Sequence, residues 1–127
     1  MIIFQLTVTP KMSQPEKKFA EVSIYPNPAS TSTMALSIRA TAIGKERATG
    51  GAVEIMTSSG QRLWKRELRE IEITNSPDGT NEIRVTVPCG MGGLNLKGLA
   101  QGKYLASITL KYGKDEINTT REFRLIG

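Results

Sequence analysis

The chain has 127 residues, 39% hydrophobic and 23% charged, with a formal net charge of +5, no histidine and one cysteine. That length supports one ordinary domain with its own core, and no apolar run approaches the roughly 20 residues of a membrane-spanning helix. The missing histidines exclude Ser-His-Asp and Cys-His nucleophilic sites and histidine-based zinc centres, and a lone cysteine excludes an internal disulfide and four-cysteine zinc or iron–sulfur sites.

Met1–Val8 is apolar but has no basic leader or small-residue cleavage site, so it reads as a strand or as the remnant of a preceding cargo region. Thr9–Phe19, with Pro10, Ser13, Gln14 and Pro15, reads as a linker. The compact domain is expected over residues 20–127. Its first strand covers Glu21–Tyr25, with Val22 and Ile24 on one face. Tyr25-Pro26-Asn27-Pro28 ends that strand, because proline fixes φ and donates no backbone hydrogen bond. Each residue before a proline is pushed towards extended geometry.

Ser30–Thr33 reads as a polar turn. Met34, Leu36, Ile38 and Ala40 then alternate with Ala35, Ser37, Arg39 and Thr41, the period of a half-buried strand. Gly44–Gly51 reads as a loop. Ala52–Leu68 reads as a hairpin closed at Ser58-Ser59-Gly60-Gln61, where Gly60 supplies a positive φ. The charge mixed into Arg62–Leu68 suits an edge strand. A second hairpin is expected from Ile71 and Ile73 to Ile83, Val85 and Val87, around the turn Asn75–Gly79. Cys89–Gly93 is a glycine-rich loop. Lacking the Gly-Lys-Ser/Thr sequence and a following helix, it does not match a phosphate-binding loop. Tyr104, Ala106, Ile108 and Leu110 alternate along the next strand, which turns at Tyr112–Asp115 into a last strand, Glu116–Ile126. No long helical stripe occurs. The fold class is therefore all-β: an antiparallel sandwich of about seven strands.

The chemistry-bearing residues are sparse. Asp78, Glu82, Asp115 and Glu116 could form carboxylate pairs, but each sits in or beside a turn with no apolar pocket pattern around it. Arg62, Lys65, Arg66 and Arg69 cluster near Trp64, diluted by Glu67, Glu70 and Glu72. A solvated basic face outweighs nucleic-acid binding there, since one aromatic offers little stacking. No cofactor, metal ligand set or catalytic residue is expected.

Four segments in order carry a family resemblance. They are Val22–Pro28, the hairpin Val53–Leu63 around Gly60, the stretch Leu94–Leu105 of form L-x-L-x-x-L-x-x-G-x-Y, and the final strand. Over about residues 21–126 the chain resembles the C-terminal sorting domains of type IX secretion substrates, type A. The resemblance implies an immunoglobulin-like sandwich that acts as a secretion signal. It implies a cargo protein in cis, recognition by the outer-membrane type IX translocon, and removal by a sortase-like protease. It implies a final location outside the cell or on its surface. It assigns the sorting motif to Tyr25, Pro26, Asn27, Pro28, Gly60, Gly102, Tyr104, Phe123, Arg124 and Leu125. The sequence departs from the family at its end: only two basic residues, Arg121 and Arg124, stand near the close of the last strand, where a basic tail is common in the family. The terminal hairpin Lys103–Ile126 is the expected recognition element, and the linker Thr9–Ala20 the expected processing region. The alternative reading is an extracellular immunoglobulin-like adhesion or carbohydrate-associated module.

Overall fold

Side chains alternate across a strand, so each alternating stretch acquires one apolar face that must be covered. The computed structural model describes residues 17–127 other than Lys45 and Met91. In it, these faces meet as two packed sheets. The strands are β1 (Lys18–Tyr25), β2 (Ala29–Ser30), β3 (Ala35–Ile43), β4 (Gly50–Thr57), β5 (Arg62–Arg69), β6 (Thr74–Asn75), β7 (Thr80–Pro88), β8 (Gly102–Tyr112) and β9 (Asp115–Ile126). Seven of them have eight residues or more; β2 and β6 have two each.

One sheet has the order β1-β3-β7-β6 and the other β2-β9-β8-β4-β5. All pairings are antiparallel except β2 with β9. This is the strand order of an immunoglobulin-like sandwich, with β5 added outside β4 as in the variable type. Leu36, Ile38, Ile83, Val85 and Val87 of the first sheet pack against Val53, Ile55, Ile108, Leu110, Phe123 and Leu125 of the second. Cys89 is a free cysteine, so the described sheets are held by apolar contact.

Tyr104 sits two positions into β8, and its hydroxyl donates to the carbonyl of Ala100. This tyrosine corner pins the long crossover from β7 to β8. Leu94 and Leu96 anchor the same crossover in the core.

Several expectations need correction. Lys18 and Phe19 belong to β1, which begins two positions before residue 20; residues 1–16 of the expected leader and linker lie outside the described residues. Met34 precedes β3 and is 83% exposed. Gly50 and Gly51 open β4 and do not end a loop. An ideal Cβ on Gly51 would lie 2.5 Å from the Thr109 carbonyl oxygen of β8, so the neighbouring backbone leaves room only for glycine. The alternation through Ile71 and Ile73 does not make a full strand. Glu70–Glu72 forms a 3₁₀ turn and β6 spans only Thr74–Asn75. Here the chain leaves the edge of one sheet for the edge of the other. Glu72 holds the turn by accepting the backbone N–H of Arg69 at 2.8 Å and the guanidinium of Arg66 at 2.5 Å. Ile71 is left 76% exposed while Ile73 is buried.

Candidate recognition surface

The prolines after Tyr25 do more than end β1. The chain changes sheet across them: β1 pairs with β3 in the first sheet, and β2 pairs with β9 in the second. Proline cannot continue a ladder, so the segment is released from one sheet before Ala29 and Ser30 join the other. Ala29 stands beside Leu125 and Ser30 beside Ile126. Asn27 fastens the crossover, its Oδ1 accepting the backbone N–H of Arg124 at 3.1 Å.

β8 and β9 bring the remaining motif residues to the same pole. Gly102 stands opposite Leu125, Lys103 opposite Arg124, and Tyr104 opposite Phe123. The Tyr104 and Phe123 ring centroids are 6.0 Å apart. On the other side of β8, Tyr104 stands opposite Thr57, whose carbonyl accepts the N–H of Gly60 in the β4–β5 turn. Gly60 has φ +97° and Gly102 φ +142°, conformations that glycine adopts without strain.

The assigned residues divide by exposure. Tyr104, Phe123 and Leu125 are buried and build the core. Gly60 and Gly102 shape turns. Pro26 is half-buried, while Asn27, Pro28 and Arg124 are exposed and Tyr25 is 75% exposed. A partner at this pole therefore meets Asn27, Pro28, Lys103 and Arg124.

β9 also presents an edge. β2 covers only Leu125 and Ile126, so residues 115–124 have a strand partner on one side only among the described residues. Such an edge offers backbone hydrogen bonds to an added strand. Lys103 belongs to the interior strand β8, so in the terminal hairpin β9 carries this edge.

The basic cluster on β5 is largely matched by carboxylates. Arg62 lies 3.8 Å from Glu54, Arg69 lies 3.5 Å from Glu72, and Arg66 is bonded to Glu72. Trp64 points inward with Leu68, packed against the core. β5 is the edge strand expected of it.

Of the four candidate carboxylates, Asp78, Glu82 and Asp115 are each engaged by a cation or by backbone. Glu82 bonds Arg39, which holds its carboxyl below the ordinary glutamate range. Asp78 accepts the N–H of Thr80 and is lowered by its hydrogen bonds to that residue. Asp115 lies 3.5 Å from Lys17. Burial raises the Cys89 thiol, the opposite of what nucleophilic activation requires. Among the described residues no three acidic or cysteine side chains gather as a metal site.

Sequence reasoning missed two features. Asn81 is the one buried polar residue among those described, and it ties β7 to the β3–β4 loop. Its signal was a polar residue on the apolar parity of Ile83, Val85 and Val87. Arg39 and Arg84 stand directly opposite each other across β3 and β7. Only the pairing register brings them together, so their positions in the chain carried no sign of it.

No protein-family model and no curated protein matches the chain. Among solved structures, the MHC-like protein MILL2 is similar at 16% identity and a TM-score of 0.44, over 91% of this chain. The chain spans 44% of that protein's length.

Proposed function

We propose that the chain is a C-terminal sorting module, read as a ligand by the outer-membrane type IX translocon of certain Gram-negative bacteria. It directs an attached cargo protein to the cell surface or the medium, and a sortase-like protease then removes it. One observation carries the reading. Segments that resemble the sorting family, separated by up to 97 positions, gather at one pole, where Asn27 bonds the backbone of Arg124. The half-open edge of β9 supports it further, since strand addition is a common way to read an extended segment.

The test is export of a reporter with a periplasmic leader, fused ahead of residue 17. Surface or extracellular reporter is expected only in cells that possess the translocon. Removing residues 116–127 should abolish export. Because that truncation also removes β9, Lys103→Glu with Arg124→Glu provides a folded counterpart: both side chains are exposed and stand opposite each other. Normal export of both altered fusions, or retention of the parent fusion in the periplasm, would overturn the proposal.

A further inference from the structure

The outer face of the first sheet is organised in cross-strand rows. Register places Tyr25, Ser37 and Thr86 in one row and Ser23, Arg39 and Arg84 in the next. Glu21, Thr41 and Glu82 form the third. Successive rows are about 7 Å apart along the strands. A shallow cleft of about 350 Å³ lies over the first two rows, lined chiefly by Ser23, Tyr25, Ser37, Arg39, Arg84 and Thr86.

The charge in this cleft is not balanced locally. Arg39 and Arg84 face each other as a like-charge pair, which a sheet tolerates only at a cost. A single carboxylate serves both: Glu82 lies 2.6 Å from the Nε of Arg39 and 3.5 Å from the Nε of Arg84. Glu82 and Glu21 are both in the third row, outside the cleft lining. Both contacts use Nε, which leaves the η donors of two guanidiniums for another acceptor. Their side chains are 51% and 70% exposed.

We propose that this cleft binds a carboxylated polysaccharide, with a sugar ring laid on Tyr25 and its carboxylate held between Arg39 and Arg84. Paired guanidinium forks match the planar geometry of a carboxylate. The Tyr25 ring is a flat, exposed apolar surface one row away, within reach of a ring that carries its own carboxylate. Ser23, Ser37 and Thr86 add hydroxyls that both donate and accept, as sugar hydroxyls require. β3, the middle strand under the cleft, is paired on both sides, so an acidic peptide lying over Arg39 finds no free backbone there to pair with. A nucleic acid needs a longer basic track than two arginines followed by a row of carboxylates.

Tyr25 is shared with the sorting motif, whereas Arg39 and Arg84 are not part of it, so the double arginine variant separates loss of binding from loss of export. The test titrates oligogalacturonate into the full chain at low salt and follows backbone amide shifts by NMR. Dextran of equal length and polyglutamate serve as comparators. Shifts are expected at Ser37, Arg39, Arg84 and Thr86, with neither comparator matching the affinity. Arg39→Gln with Arg84→Gln should weaken binding by about tenfold or more, as loss of charge-assisted bonds does. Tyr25→Ala should weaken it as well. Arg62→Gln with Lys65→Gln removes the same charge from β5 and should leave affinity unchanged. Absence of binding, shifts centred elsewhere in the unaltered chain, equal loss in both double variants, or equal affinity for polyglutamate would each overturn the proposal. The shifts in the unaltered chain decide the matter even if a variant misfolds.

Discussion

Asn27 and Arg124 are 97 positions apart, yet the side-chain carbonyl of one accepts the backbone N–H of the other at 3.1 Å. This bond couples the segment where the chain changes sheet to the strand that ends the domain. Asn27→Ala removes the acceptor at an exposed position where water can replace it, so the cost should be about 1 kcal/mol or less. Thermal unfolding measures that loss. If the pole is the sorting signal, export of a fused reporter should fall more than stability does.

Asn81 should be far less tolerant. Its Oδ1 accepts from the Ala48 backbone N–H and from the Asn75 side chain, each at 3.1 Å, and its Nδ2 donates to the Glu46 carbonyl at 3.0 Å. Asn81→Ala leaves a buried N–H without its partner and opens space beside Tyr112. A loss of about 2–4 kcal/mol is expected by denaturant titration. A loss as small as that of Asn27→Ala would mean that water enters and replaces the amide.

Two glycines should respond to alanine for different reasons. At Gly51 the added Cβ meets the Thr109 carbonyl of the neighbouring strand, so β4 and β8 must shift, at about 1–3 kcal/mol. At Gly60 the space is open and only the positive φ resists, which costs about 1 kcal/mol. Comparative melting of the two variants checks the order.

Stability should fall on both sides of neutrality. Arg39 lowers Glu82, the Arg69 backbone N–H lowers Glu72, and hydrogen bonds to Thr80 lower Asp78. A depressed carboxylate binds fewer protons folded than unfolded, so its contribution is complete above the ordinary values of 4.5 for glutamate and 3.8 for aspartate. It is lost as pH drops through the folded values. In alkali the sign reverses. The hydrogen bond to Glu46 raises Lys17 above 10.5, and burial raises Tyr112 above 10.0, so both contributions are present below those values and lost above them. Melting temperature against pH should show both flanks. Salt should shrink the acid flank, because Asp78 and the guanidiniums of Arg39 and Arg66 that pair with the two glutamates stand in solvent.

The long strands were legible because burial of one face is written into their alternation. Leu36, Ile38 and Ala40 in β3, Ile83, Val85 and Val87 in β7, and Ala106, Ile108 and Leu110 in β8 all point inward as their spacing requires. The alternation of Ile71 and Ile73 misled because the chain crosses between sheets there, and Glu72 is drawn to Arg66 and Arg69. Gly50 and Gly51 looked like loop because the close approach of β8 has no local signature. The stop at Tyr25-Pro26-Asn27-Pro28 was readable from proline geometry, whereas the change of sheet was not. It depends on β2, two residues whose partner lies at the far end of the chain. Arg39 opposite Arg84 is likewise a product of register alone.

The sandwich has polarity. Lys17 lies beside Asp115 at the start of β9, and the final residues lie at its other end, next to Ala29 and Gly102. The twelve residues of β9 separate those poles by roughly 40 Å. In the proposed sorting role, a passenger joined ahead of Lys17 would therefore trail from one end of the molecule, while the Asn27–Arg124 tip leads. If that role holds, a bulky load could vary in size and shape without shadowing the Asn27–Arg124 end, as a cable leaves a plug from the side away from its pins.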